Sequence, residues 1–236
     1  MSNLIEDSKK LAAISSVDNH VQNGHVVGIG SGSTIVYAVQ RLAERVEAEK
    51  MSVSCIPTSF QARQLIMEHG LPMTSFEAVE SCDVTIDGCD EADASLTLIK
   101  GGGGCLAQEK VVAQFSKTFV VIADYRKKSQ KLGTSWKYVP IEVLPLAYKP
   151  VTKWISDHHG GEAILRMAKA KAGPLVTDNG NLILDWYFDL NKTYDWKKVN
   201  GELCSLAGIV DTGLFIDMTK TAYFGQKDGT VETVLI

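Results

Sequence analysis

Residues 83–109 place an unusual density of proton-active groups in one short stretch, D-V-T-I-D-G-C-D-E-A-D-A-S-L-T-L-I-K-G-G-G-G-C-L-A-Q-E. Four carboxylates (Asp87, Asp90, Glu91, Asp93) precede a single lysine, Lys100, four consecutive glycines and then Glu109. Acids, one lysine and a pliable backbone are costly for a core and useful for moving protons. Asp87-Gly88 ends an apolar run, so Asp87 and Asp90 are expected at the C-terminal mouth of a strand, where open α/β sheets bind ligands. For either aspartate alone, a solvated turn is the competing reading. Glu109 is the most telling residue. At helical spacing its neighbours are Leu106, Val112 and Ala113, which puts the carboxylate on a buried stripe. Burial raises a carboxyl pKa toward the range of a working general base. The alternatives are a side chain that reaches out to solvent or pairs with Lys110 or Lys100. Ordering four glycines costs entropy. A close approach of backbone to ligand, or a nest of N–H groups, would justify the run; otherwise it is a mobile surface loop.

A second candidate site precedes this stretch. Gly30-Ser31-Gly32-Ser33-Thr34 joins an apolar strand to an amphipathic helix. Such a turn aims successive N–H groups and a helix N-terminus at an anion, and Ser31, Ser33 and Thr34 add hydroxyls. The plain alternative is a tight turn with Ser33 or Thr34 as helix cap. A dinucleotide fingerprint fails because Ser33 stands where a third glycine is needed and no acid ends the second strand. A phosphate-binding loop of the nucleotide-hydrolase type fails because Gly-Lys-Ser/Thr is absent, which also disarms the spelling Asp90-Glu91-Ala92-Asp93. A calcium loop counted from Asp83 has Ala94 where a bidentate glutamate is required; magnesium is neither demanded nor excluded. His158 and His159 do not share a helix face and read as surface residues. The four tryptophans (136, 154, 186, 196) read as core or interface of the second half.

The whole chain bounds these readings. It has 236 residues, 45% of them apolar and 22% charged, and a net charge of −4. That is enough for one large or two modest domains, and it argues against a nucleic-acid footprint. The five cysteines form no C-x-x-C pair and read as reduced cytosolic thiols rather than a disulfide or zinc framework. The first residues carry no apolar signal core, and no run reaches the ~18 apolar residues of a membrane span. A cytoplasmic protein without nucleic-acid or membrane partners is expected.

The elements that must hold these groups alternate strand and helix. Helical spacing covers 3–20, 35–46, 59–68 and 106–115; strands are expected at 26–29, 53–56, 84–86, 96–99 and 119–123. The continuous run Phe119–Ala123 suits a parallel strand covered on both faces. After Gly133 the order becomes β-α-β-β-α, as in a ferredoxin-like split unit: strands at 138–143, 163–168 and 182–186, a hairpin at Asn179-Gly180 between 175–178 and 182–186, and helices at 150–158 and 195–206. Late strands at 210–216, 222–224 and 230–236 are expected to rejoin the first sheet. The fold class is therefore α/β: a Rossmann-like, mostly parallel domain over 1–131 plus 209–236, and a smaller ferredoxin-like α+β domain over 132–208.

Five segments in order, G-S-G-S-T at 30–34, D-G-C-D-E at 87–91, K-G-G-G-G at 100–104, Q-E-K at 108–110 and V-T-D-N-G-N at 176–181, resemble the ribose-5-phosphate isomerase type A family over essentially the whole chain. The resemblance implies cofactor-free, metal-free interconversion of D-ribose 5-phosphate and D-ribulose 5-phosphate in the pentose phosphate pathway, by a homodimer or homotetramer with the small domain at the oligomer interface. It implies Glu109 as the base moving a proton between C2 and C1. Asp87 and Asp90 would open the sugar ring and hold hydroxyls, and Lys100 with the following glycine N–H groups would stabilise the enediolate. Ser31, Gly32, Ser33, Thr34, Gly88, Cys89, Gly101, Gly102, Gly103 and Lys127 complete the implied substrate site. Lys9 or Lys10 is a further candidate, with the register open. A sugar-phosphate sensor without catalysis, or an isomerase of a related pentose or hexose phosphate, are the other readings. Cys89 and Cys105 put thiols near the site, so oxidative sensitivity is expected.

Overall fold

The structure, a computed structural model, describes residues 2–236. The first half alternates as the spacing predicts: α1 (Ser2–His20), β1 (Val26–Ile29), α2 (Ile35–Glu49), β2 (Ser54–Pro57), α3 (Phe60–Glu68), β3 (Cys82–Asp87), the short strands β4 (Glu91–Ala92) and β5 (Leu98–Ile99), α4 (Leu106–Gln114) and β6 (Ser116–Asp124). The second half runs β7 (Val139–Val143), α5 (Tyr148–His159), β8 (Glu162–Leu165), β9 (Leu182–Tyr187), α6 (Trp196–Ser205), β10 (Ile209–Thr212), β11 (Leu214–Phe215), β12 (Thr221–Gly225) and β13 (Val231–Leu235).

The main sheet has the order β13-β12-β6-β3-β1-β2, parallel except for the β12–β13 hairpin at its edge. Both faces are covered, as the unbroken apolar run of β6 requires. Val120 and Ile122 pack with α1, α2 and α3, while Phe119 and Val121 pack with Ala113 of α4 and with Phe215. The chain leaves β1 toward β2 on one side and returns to β3 on the other. The crevice beyond the carboxyl ends of β1 and β3 is therefore a topological switch point.

The smaller sheet, β10-β7-β9-β8, is antiparallel throughout. Its order is that of a ferredoxin-like unit in which β7, β8, β9 and β10 are the first to fourth strands. Fully buried Trp186 anchors its core against Val139, Ile141, Val151 and Leu203. Helix α4 touches β3 and β6 of the main sheet and β7 and β10 of the smaller one, so it is covered on two sides. That sandwiching buries the stripe that includes Glu109.

Two expectations about strands need correction. Residues 210–216 are not one strand rejoining the main sheet. β10 instead closes the small sheet against β7, and after Gly213 the chain turns to pair β11 with β5. Gly213 explains the break: a Cβ there would overlap the Lys100 carbonyl and crowd Pro140. The strands of the small region thus extend past residue 208, and only β12 and β13 return. Likewise Asn179-Gly180 makes a turn, with the Gly180 N–H donating to the Thr177 carbonyl, but 175–178 is no strand; β9 pairs with β7 and β8. Glu142 accounts for this. It is fully buried on β7 and draws Thr177 Oγ1 and Asn181 Nδ2, each at 2.9 Å, onto one of its carboxylate oxygens.

Candidate active site

Asp87 is the last residue of β3 and is fully buried. Its Oδ1 accepts from the N–H groups of Ser31 (3.0 Å) and Gly88 (2.7 Å). This carboxylate therefore ties the β1 loop to the β3 turn. Gly30 makes room for it: a Cβ at that position would overlap Asp87 Oδ1. The other oxygen, Oδ2, lies 3.0 Å from Lys100 Nζ as an ion-pair contact outside hydrogen-bond alignment.

Lys100 follows β5 and is 2% exposed. Its ammonium donates to the Gly88 carbonyl at 2.7 Å and to Glu109 Oε1 at 3.0 Å. Burial alone would lower its pKa, but Asp87 and Glu109 outweigh that and hold it above the ordinary lysine value, so it stays charged. One cation thus faces two carboxylates in a dry setting. Two negative charges so close cannot both be held cheaply. Burial first, then the Asp87 charge, pushes Glu109 up to about 8, with Lys100 opposing. Glu109 is 4% exposed, and its second oxygen, Oε2, has no hydrogen-bond partner.

These groups meet a cavity of about 270 Å³. Ser31, Gly32, Ser33, Thr34, Gly88, Cys89, Asp90, Lys100, Gly101, Gly102, Gly103, Glu109 and Lys127 all line it. Of the residues expected at the site only Asp87 does not. It stands behind the lining, with Oδ1 held by Ser31 and Gly88 and Oδ2 against the Lys100 ammonium. Asp90 is the aspartate that faces the cavity. It accepts from Gly102 N–H at 2.7 Å, and burial raises its pKa.

The β1 loop departs from a simple capped turn. Thr34 makes no side-chain cap to α2, and the Ser33 hydroxyl accepts from Lys9 Nζ at 3.0 Å. The start of α2 therefore keeps the anion-binding character that a cap would remove. Ser31 is different: its hydroxyl is engaged with Thr58 (2.9 Å) and Ser59 (2.6 Å). Lys9 lines the cavity and Lys10 is exposed, which settles the register of α1.

Several cavity residues carry no signal in the sequence reading. Gln61 of α3 accepts from Gly32 N–H at 2.8 Å. Asp124 and Arg126 sit at the end of β6, paired at 2.6 Å. Their position at a parallel strand's carboxyl end was the available clue. The environment of the thiols works against the expected oxidative sensitivity. Burial pushes Cys89 and Cys105 each up to about 12, so neither carries the thiolate on which such reactivity depends. Among the described residues no group of three or more His, Cys, Asp or Glu side chains could hold a metal ion, and no helix is long and apolar enough to cross a membrane.

Comparison with known proteins identifies the scaffold. The model of the family described as ribose 5-phosphate isomerase A (phosphoriboisomerase A) matches residues 54–229. The chain belongs to that family. A Homo sapiens ribose-5-phosphate isomerase is 56% identical over 227 residues, 96% of this chain and 72% of the human protein. The Dictyostelium discoideum ribose-5-phosphate isomerase is 49% identical, covering 96% of this chain and 97% of its own. Among solved structures, the ribose 5-phosphate isomerase A of Methanocaldococcus jannaschii superposes with a TM-score of 0.90 at 36% identity, over 100% of this chain and 99% of that one. A D-ribose-5-phosphate isomerase in complex with phospho-erythronic acid gives 0.93 at 36% identity, over 98% and 99%. The α/β architecture is thus that of the ribose 5-phosphate isomerase A family from end to end.

Proposed function

We propose that this chain interconverts D-ribose 5-phosphate and D-ribulose 5-phosphate through an enediolate, with Glu109 as the base. The observation that carries this reading is Glu109 Oε2: a buried carboxylate oxygen without a partner, on a side chain that lines the cavity and is held near pH 8. A base of that pKa is strong enough to take a proton beside a carbonyl and weak enough to return it. In the aldose-to-ketose direction Glu109 takes the C2 proton, the electron pair moves onto the C1 carbonyl oxygen, and the enediolate forms. The C2 hydroxyl then passes its proton to the C1 oxygen, and Glu109 returns its proton to C1 as the electron pair on the C2 oxygen closes the ketone. Lys100 stays charged beside Glu109 and offsets the negative charge on the oxygens. The exposed backbone at Gly103 adds an N–H donor.

The substrate's phosphate suits the opposite end of the cavity. There the uncapped start of α2 is joined by Ser33, Thr34 and Lys9, whose Nζ donates to Ser33 Oγ, while Lys127 lines the same cavity. Asp90 is the carboxylate suited to hold a hydroxyl or assist ring opening, with Asp87 acting on Lys100 rather than on the sugar. The reading includes cytoplasmic residence and assembly as a homodimer or homotetramer, with the smaller α+β region at the interface. It invokes no cofactor. The test is a spectrophotometric assay of ketose formation from ribose 5-phosphate. Turnover is expected; binding of the sugar phosphate without ketose formation would reduce the site to a sensor.

A further inference from the structure

Arg166, from the small region, reaches the glycine loop of the site. It follows β8 and is only 11% exposed at its side chain. Its Nε and Nη2 grip both oxygens of Asp185 on β9, at 2.9 and 2.5 Å. That fork leaves Nη1 fixed in direction, and it donates to the carbonyls of Gly101 (2.9 Å) and Gly102 (3.2 Å). The four glycines form a β-turn closed by the Gly104 N–H on the Gly101 carbonyl at 3.0 Å. The central peptide of this turn joins Gly102 to Gly103.

In a turn centred on two glycines the middle peptide is free to face either way, because type I and type II differ by its flip and glycine accepts both. Neither Gly102 nor Gly103 has a positive φ, so the turn is not of type II. With the Gly102 carbonyl held by Arg166, the trans geometry of the peptide sends the Gly103 N–H the opposite way. Gly103 lines the cavity, and a Cβ on it would meet nothing within 4 Å. The neighbouring N–H, that of Gly102, is already given to Asp90. The sequence K-G-G-G-G alone leaves this choice open.

We propose that Arg166 is a positioning residue for the reaction: held by Asp185, its guanidinium selects the peptide orientation in which the Gly103 N–H faces the cavity as a donor to the enediolate oxygen. The inference rests on the isomerase reading. Loss of one oxyanion donor typically costs about 10²–10³ in kcat. Arg166→Met is therefore expected to lower kcat about a hundredfold, the low end of that range, with KM for ribose 5-phosphate little changed. Affinity for phospho-erythronic acid, whose carboxylate stands in for the enediolate oxygens, should fall in step with kcat/KM. Arg166→Lys keeps the buried charge but cannot grip Asp185 with two donors and both carbonyls with a third. It is expected to fold like wild type by thermal melting and still lose about tenfold or more in kcat, a partial loss of the same term. Added guanidinium ion should restore part of the rate to an Arg166→Ala variant. A full kcat in Arg166→Lys, or a loss confined to KM in Arg166→Met, overturns the proposal. Wild-type turnover in the same assay keeps the two readings apart, since an inactive wild type refutes the isomerase and an active one with an active Arg166→Lys refutes only the positioning role.

Discussion

Two buried glutamates flank the glycine loop, and their surroundings could hardly differ more. Glu91 is fully buried, and every donor around it is neutral. Ser129 Oγ, the Ser135 N–H and the Ser135 hydroxyl serve one oxygen, and the Gly133 N–H serves the other. It stitches the 129–135 loop to β4. Glu109 has one charged partner, a like charge close by and an oxygen with no partner at all. A buried carboxylate whose lone pairs are satisfied is a structural staple. One left partly unsatisfied at a cavity holds free energy that chemistry can use.

Exchanging the two roles should fail in opposite ways. Glu109→Gln removes the base and keeps the shape, so kcat should fall about 10²–10⁴-fold while ligand binding persists, as read by steady-state kinetics and calorimetry. A small loss would move the base elsewhere. Glu91→Ala strands several buried donors, each worth about 1–3 kcal/mol, so a stability loss on the order of 3 kcal/mol is expected in urea titrations. Its kcat per folded molecule should be unchanged; a wild-type urea midpoint would show that the staple is dispensable.

The same contrast has a pH signature. Free Glu109 must be ionised to act, so kcat/KM should rise with pH through an apparent pKa near 8. A profile flat across that value would detach the rate from this group. Stability should move the other way. Folding raises the Glu109 pKa from 4.5 to about 8. The folded state therefore binds more protons than the unfolded one between those values, and stability from this group is lost as pH rises through the window. Glu109→Gln lacks that loss, so melting curves of the variant should gain on wild type as pH climbs. The smallest effect concerns the thiols. With Cys89 and Cys105 both near 12, brief treatment with a thiol reagent at neutral pH should leave the rate almost intact.

Much of the site was legible because its residues break local rules. Glu109 stood out as an acid among Leu106, Val112 and Ala113, and the four glycines after Lys100 had no local reason to be there. The parallel strands were legible from the unbroken apolar run at 119–123. What stayed hidden depends on contacts between distant segments. Asp87 and Asp90 look alike in sequence, yet Gly30 lets the first turn inward against Ser31 while the second faces the cavity. Asp93, spelled into the same acidic cluster, simply closes its own turn onto the N–H groups of Ser95 and Thr97. His159, expected on the surface beside His158, is buried against Trp154 and Trp186. Its side of α5 faces the small sheet, which the adjacency of the two histidines could not reveal. Arg166 lies in a segment with no motif, and its importance rests on reaching carbonyls more than sixty residues away in sequence.

Hydrogen exchange in D₂O bears most directly on Glu109. Wild-type protein incubated with ribose 5-phosphate in D₂O should place deuterium on the carbon that gains the proton, followed by proton NMR. Glu109→Gln should bind the sugar phosphate and leave that position unlabelled. Labelling at the wild-type rate in the variant would contradict the assignment of proton transfer to this buried carboxylate.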